Sequence, residues 1–285
     1  MLRLVWTTDL HLDHAPQNLQ ERWLSSIANH TFDGLLIGGD ISEGGKTTSW
    51  LREIAQRVKK PIYFVLGNHD FYDDSIRLVR QKIIRMCREY QNLHYLTDCS
   101  AVRLGVATDS ESNPTYLIGE DAWGDATTGD FDQSFVQLND FSRIGDFLSL
   151  KPEQQKLELQ RLGLQSAQRL ASKLSAIHEN MARIVVLTHV PPFVESCWYE
   201  GKTADRHWSP FFVCGQTGEV LKSHATNHPN HEIVVLCGHC HHSGITQLTQ
   251  NLIIYTGEAS IGHPAIAGIM NIGERSISLN QSELL

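Results

Sequence analysis

The sequence predicts an α/β fold in which parallel strands alternate with helices, and three observations predict it. Five runs of apolar β-formers each end in a short loop rich in Gly, Asp, Asn or His. Between the first three runs, apolar residues recur at three- and four-residue spacing, the period of a helix with one buried stripe. Two successive β-α-β units of this kind favour a parallel sheet with right-handed crossovers.

Leu2 to Thr7 reads as the first strand and leads into Asp9-Leu10-His11. Leu19, Trp23, Leu24, Ile27 and Ala28 give the first helical stripe. Leu35-Leu36-Ile37 is the second strand, ending in Gly38-Gly39-Asp40, with Gly44-Gly45 as a loop beyond it. Trp50, Leu51, Ile54, Ala55 and Val58 repeat the helical period before Pro61 opens the third strand, Ile62 to Leu66. That strand stops at Gly67-Asn68-His69-Asp70, and Asp73-Asp74-Ser75 then offers N-caps for a helix carrying Ile76, Val79, Ile83, Ile84 and Cys87.

Leu93 to Leu96, Ala101 to Leu104 and Tyr116 to Ile118 are spaced closely enough to be expected as antiparallel neighbours. Thr127 to Arg143 reads as a polar surface excursion. Pro152 to His178 is helical, with Leu164, Ala167, Ala171 and Leu174 assigned to one face and Gly163 to a break. Ile184 to Leu187 leads into Thr188-His189, and Ile233 to Cys237 into Gly238-His239-Cys240-His241. Between them, Phe193 to Glu232 forms a second excursion, containing Trp198, Tyr199, Arg206, His207, Trp208, His224, His228 and His231. Leu252 to Tyr255, Ile266 to Asn271 and Ser276 to Leu279 are expected to finish a second sheet.

If the five strands lie side by side and parallel, their loops open on one edge, where open α/β sheets place ligands. That edge gathers Asp9, His11, Asp40, Asn68, His189, His239 and His241, a mixed N/O donor set without thiolate. A chain of 285 residues with 41% hydrophobic residues can build one large α/β domain spanning 1–285, and no linker-like tract marks a join. The net charge of −8 argues against a duplex nucleic-acid partner, which needs a basic track. Small phosphorylated substrates or a phosphoprotein remain open, because bound cations would reverse the local sign. No targeting segment precedes Asp9 and no apolar run reaches the roughly 18 residues of a membrane span, so a cytoplasmic enzyme is the expected setting. Six cysteines in a chain this long do not suggest a disulfide framework, and the C-x-x-C spacing of Cys237 and Cys240 lacks a second pair for zinc.

Taken in order, Asp9-x-His11, Gly39-Asp40, Gly67-Asn68-His69-Asp70, His189 and Gly238-His239-x-His241 resemble the calcineurin-like metallophosphoesterase superfamily. The resemblance implies a four-layer α/β/β/α sandwich, two mixed β-sheets flanked by helices, one sheet for each half of the chain. It assigns one divalent ion to Asp9, His11, Asp40 and His241, and a second to Asp40, Asn68, His189 and His239, with Asp40 bridging. Mn, Fe or Zn would suit this donor set. Two such ions and two carboxylates leave +2 before substrate enters. In the family a metal-held hydroxide attacks phosphorus in line, and His69 would protonate the leaving oxygen of a mono- or diester. Asp70 is expected to hold the His69 imidazole.

Several residues carry weaker expectations. Glu43 falls where many relatives have a second Asp, and reads either as an acceptor behind the ligands or, in preference, as a solvated turn; Asp13 and His14 read as surface, and His242 as a bystander. Trp123, Trp198, Tyr199, Arg206 and His207 either wall the substrate pocket or form satellite cores. Excursions at about 121–145 and 193–232 would shape the substrate site. A catalytically silent metal-binding scaffold and a nuclease of the same superfamily are the alternatives. Oligomeric state leaves no mark in the sequence.

Overall fold

The computed structural model describes residues 1–105, 113–274 and 276–281. In chain order the elements are β1 (Leu2–Thr7), α1 (Gln17–Asn29), β2 (Gly34–Gly38), α2 (Lys46–Arg57), β3 (Ile62–Val65), α3 (Ile76–Glu89), β4 (Leu93–Tyr95), β5 (Val102–Leu104) and β6 (Thr115–Glu120). They continue with α4 (Asp140–Arg143), α5 (Pro152–Ser175), β7 (Ala182–Thr188), β8 (Trp198–Tyr199), β9 (Lys202–Thr203), α6 (Ser209–Phe212) and α7 (Gly215–Asn227). The last are β10 (His231–Cys237), β11 (Gly244–Thr249), β12 (Leu252–Thr256), β13 (Gly268–Ile272) and β14 (Ile277–Asn280).

Two six-stranded mixed sheets stack face to face. The first runs β14-β13-β1-β2-β3-β4 and the second β11-β12-β10-β7-β6-β5. Strands β1 to β4 are parallel, as are β6, β7, β10 and β12, while the outer strands attach antiparallel. Leu4, Trp6, Leu36 and Val65 from one sheet meet Leu117, Val185, Leu187, Val234 and Leu236 from the other to form the central core. The opposite face of the first sheet packs on α1, α2 and α3 through Leu24, Ile27, Leu51, Ile54, Val79 and Ile83. The second sheet packs on α5 and α7 through Leu170, Leu174, Leu221 and Ala225. Burial on both faces explains why the inner strands are continuous apolar runs instead of alternating ones. Each such aliphatic side chain withdrawn from water contributes about 1.5–3 kcal/mol.

This is the four-layer sandwich, with three corrections. The five motif strands are divided, β1, β2 and β3 in one sheet and β7 and β10 in the other. The sheets do not follow the halves of the chain, because β13 and β14 return to lie beside β1 in the first sheet. Of the close-spaced runs, only β5 and β6 pair antiparallel; β4 joins β3 in parallel.

Helix α5 runs unbroken through Gly163. A Cβ there would stand 2.4 Å from the Asp125 Cβ, so this glycine serves a close approach, not a break. The buried face of α5 is Leu159, Leu162, Ser166, Leu170 and Leu174, whereas Leu164 is exposed. The 193–232 excursion is also more ordered than a loop, since it contains a two-stranded hairpin and α7. Among the described residues, no helix is long and apolar enough to cross a membrane.

Candidate metal centre

The carboxyl ends of β1, β2 and β3 and those of β7 and β10 meet at one edge of the sandwich. Their loops are laced together by the backbone: Asp9 N–H donates to Gly39 O at 3.0 Å, His11 N–H to Asp40 O at 2.9 Å, and Gly238 N–H to His189 O at 2.9 Å. Side chains join the lacing, with His239 N–H donating to Asp9 Oδ1 at 3.0 Å and His69 N–H to Asp40 Oδ1 at 3.0 Å. Asp9, His11, Asp40, His239 and His241 all have left-handed backbone, with φ of 50°, 40°, 48°, 70° and 59°. Such conformations disfavour non-glycine residues and persist where surrounding structure enforces them, as at ligand sites. A Cβ on Gly67 would lie 2.1 Å from Asp40 Oδ1, and one on Gly238 2.1 Å from Asp9 Oδ2. These two motif glycines therefore make room for the carboxylates.

Donor atoms converge in two adjoining clusters that share Asp40. In the first, His11 Nε2 lies 3.2 Å from His241 Nε2 and 3.6 Å from Asp40 Oδ2, and His241 Nε2 lies 3.3 Å from Asp9 Oδ1. In the second, His189 Nε2 lies 3.1 Å from His239 Nδ1, 3.3 Å from Asn68 Oδ1 and 3.5 Å from Asp40 Oδ1. Thus one oxygen of Asp40 faces each cluster. Donors held about 2.0–2.1 Å from a common cation are separated by about 3.0–3.4 Å, and these distances fall in that range or just beyond it.

The tautomers sharpen the case. His189 Nδ1 faces Gly38 O at 2.9 Å and His239 Nε2 faces Phe211 O at 3.2 Å. A carbonyl can only accept, so both of those nitrogens carry hydrogen, and a ring in its neutral form turns its remaining lone pair toward the other. Asn68 is oriented the same way, its Nδ2 donating to Asp140 Oδ1 at 2.9 Å and leaving Oδ1 inward. One shared proton cannot serve two imidazoles, an amide oxygen and a carboxylate. A cation can, and carbonyl or carboxylate partners behind the ligands are the usual means of fixing them.

Electrostatics agree. Burial alone would raise Asp9 and Asp40, but His241, His189, His11 and His69 hold both carboxyls below the ordinary range. Burial and neighbouring His189 push His239 down to about 3, so its ring is neutral near pH 7. For His189 and His241 burial opposes protonation, yet the facing Asp40 and Asp9 carboxylates raise both, His241 to about 9. A pocket that draws positive charge in this way suits divalent cations.

His69 stands at the rim, 23% exposed, with its ring 4.8 Å from that of His11 and 4.5 Å from that of Tyr72. Asp70 does not hold it. The Asp70 carboxylate is buried and accepts from the backbone N–H of Ile41, Ser42 and Gly67 and from the Thr47 hydroxyl, tying the β2 and β3 loops together. The nearest carboxylate to His69 Nδ1 is Glu43, at 3.7 Å. Glu43 is no solvated turn: it also pairs with His14 at 3.1 Å and Arg143 at 2.8 Å. Asp13 is likewise withdrawn, its side chain 4% exposed and paired with Lys46.

The proposed pocket walls separate. Trp123 is buried against Phe71 and Phe147 and lines a small cavity together with Asn68, Asp140 and His239. Trp198 is half-buried and packs where a Gly244 side chain would be, while Tyr199 is exposed beside His242. The Arg206 carbonyl accepts from Asp130 N–H, and the His207 ring packs on Phe135, so these residues join the two excursions and do not enter the donor clusters. His242 points to Glu200 N–H and Tyr199, away from both clusters.

Two buried acids escaped the sequence reading. Asp140 orients Asn68 and binds the Tyr72 hydroxyl at 2.9 Å. Asp121 accepts from Leu66 N–H, Thr97, Tyr95 and Arg80, bracing the end of β3 against the loop after β6. Arg80, Tyr95 and these bonds hold it ionised against its burial. Neither lies in a periodic segment, so no pattern marked it. Glu43 had a signal in its place three residues after Asp40.

A four-layer sandwich with two adjoining N/O donor clusters at its strand ends defines a metallohydrolase class of architecture. The chain belongs to the calcineurin-like phosphoesterase family, whose family model matches residues 2–243. Solved structures similar to it include a phosphopantetheinyl hydrolase from Mycobacterium tuberculosis, with TM-score 0.66, 14% identity, and 91% of this chain and 89% of that chain covered. A dimetal phosphatase from Danio rerio aligns with TM-score 0.58 and 14% identity over 100% of this chain and 98% of its own. A protein from Thermus thermophilus aligns with TM-score 0.56 and 9% identity over 98% of each chain. No curated protein sequence matches the chain. At these identities the solved structures speak to fold; the family match makes the chain a metallophosphoesterase-type hydrolase.

Proposed function

We propose that this protein hydrolyses a phosphate mono- or diester with two divalent transition-metal ions, Mn, Fe or Zn, held by Asp9, His11, Asp40 and His241 and by Asp40, Asn68, His189 and His239. The observation that carries the reading is the convergence of His189 Nε2 and His239 Nδ1, 3.1 Å apart, with the other ring nitrogens turned to Gly38 O and Phe211 O. Bound there, the ion pair supplies charge neutralisation at the phosphoryl oxygens and a water acidic enough to serve as nucleophile near neutral pH.

The chain's own residues do the rest. His69 donates a proton to the departing oxygen, from a ring set against Tyr72 and facing Glu43 through Nδ1. Glu43, anchored by Arg143, is its orienting carboxylate in place of Asp70. Asp140 keeps the Asn68 oxygen turned inward. At the rim, Trp208, 43% exposed, packs 5.6 Å from Phe212, whose ring is 4.4 Å from that of His239. These rings offer a contact for the organic part of a small phosphorylated substrate.

The test begins with metal-stripped protein reloaded with Mn, Zn or Fe and assayed on 4-nitrophenyl phosphate and bis(4-nitrophenyl) phosphate. Two ions per chain and hydrolysis of at least one ester are expected, with Asp40→Asn inactive. Full activity in Asp40→Asn, or less than one ion bound after reloading, overturns the reading. A silent scaffold would bind metal and turn over neither ester.

A further inference from the structure

Between the two site histidines of the last motif loop lies Cys240, which the proposed reaction does not use. Cys240 is half-buried, Cys197 is buried, and both are free thiols. The Cys240 and Cys197 thiols face each other, and the Trp198 backbone N–H faces the Cys240 sulfur. On its other side it lies 3.8 Å from His242 O. The two segments are clamped together beyond the sulfurs: Thr256 Oγ1 donates to Ser196 O at 2.7 Å, and the Tyr199 and His242 rings lie 4.7 Å apart. Cys237, the remaining thiol of this loop region, faces Thr256 Oγ1 and Tyr255 O.

We propose that Cys197 and Cys240 are a peroxide-sensitive modification site, closing to a reversible disulfide that disables the centre carried by the same loop. In the first step the Cys240 sulfur attacks one peroxide oxygen; the O–O bond breaks, leaving a sulfenic acid and one water. The Cys197 sulfur then displaces the hydroxyl as a second water and forms the S–S bond. Two thiols are oxidised by two electrons and one hydrogen peroxide is reduced.

The coupling is geometric, and its second half rests on the proposed metal centre. A covalent S–S bond is far shorter than a thiol contact, so closing it draws the 238–242 loop toward β8. His239 and His241 flank Cys240 in left-handed backbone, so the loop cannot absorb that movement without displacing their imidazoles. Displaced ligands bind metal less well.

Zinc-loaded protein treated with hydrogen peroxide, alkylated and mapped by mass spectrometry tests both halves. Expected are a cross-linked peptide pair joining Cys197 to Cys240, a loss of bound zinc, a more than tenfold loss of ester hydrolysis, and recovery with dithiothreitol and zinc. The Cys197→Ala variant should keep its zinc under the same dose; mapping the unaltered chain stands by itself if that variant does not fold. Absence of the 197–240 linkage overturns the inference whatever the activity. Linkage without zinc loss or inhibition overturns the switch. A protein inactive before oxidation that still forms the linkage and releases zinc leaves the site standing and counts instead against the proposed hydrolysis.

Discussion

The strand-end loops and the two excursions are built by opposite means, although both serve the same centre. The loops are short, glycine-relieved and strained, and their side chains supply every donor atom of the two clusters. The excursions contribute none of these, yet their Asp140 turns Asn68 inward, their Phe211 carbonyl fixes His239, and their Arg143 holds Glu43 beside His69. The difference teaches that ligand identity is encoded locally, while ligand orientation is imposed from distant segments.

Breaking the loops should have the largest effect. Asp40→Ala removes the one side chain shared by both clusters, and hydrolysis should fall to background with loss of bound metal by elemental analysis. His69→Asn should lower kcat by about 10²–10⁴-fold while two ions stay bound. Retained kcat would remove His69 from the reaction.

Asp140→Ala sharpens the comparison, because it touches no proposed metal ion. Loss of its orienting bond should reduce metal affinity or activity by about 10–100-fold, read by metal titration and steady-state kinetics. An unchanged affinity would reduce the excursion to a cover.

Asp70→Ala should act on stability before chemistry. Four donors lose a buried acceptor, at about 1–3 kcal/mol for each left unsatisfied, and the urea midpoint should drop. A large kcat change at unchanged midpoint would restore Asp70 to a catalytic role.

The smallest effect is expected far from the centre. His224 is stacked with His228 and hydrogen-bonded to His231, whose Nε2–H is held by Glu179 O. Burial, then the two neighbouring rings, lowers His224 to about 4. The unfolded chain binds this proton at higher pH than the folded one. The stability contribution of neutral His224 is therefore complete above about pH 6.5 and declines as pH falls toward 4. His224→Gln should flatten that part of the pH–stability curve; an unchanged slope would assign it to other groups.

What the sequence determined by itself was local. Apolar runs bounded by Gly, Asp and His located five strands to within two residues and named the residues that meet at their ends, because strand burial and loop chemistry are written in adjacent positions. The tertiary structure alone decided the pairing of β13 with β1, the pass of Gly163 against Asp125, and the exchange of Asp70 for Glu43 as the carboxylate facing His69. Those features join residues far apart in the chain or depend on where a side chain turns. Only close packing selects such geometry, since each competing arrangement uses the same residues with the same local preferences.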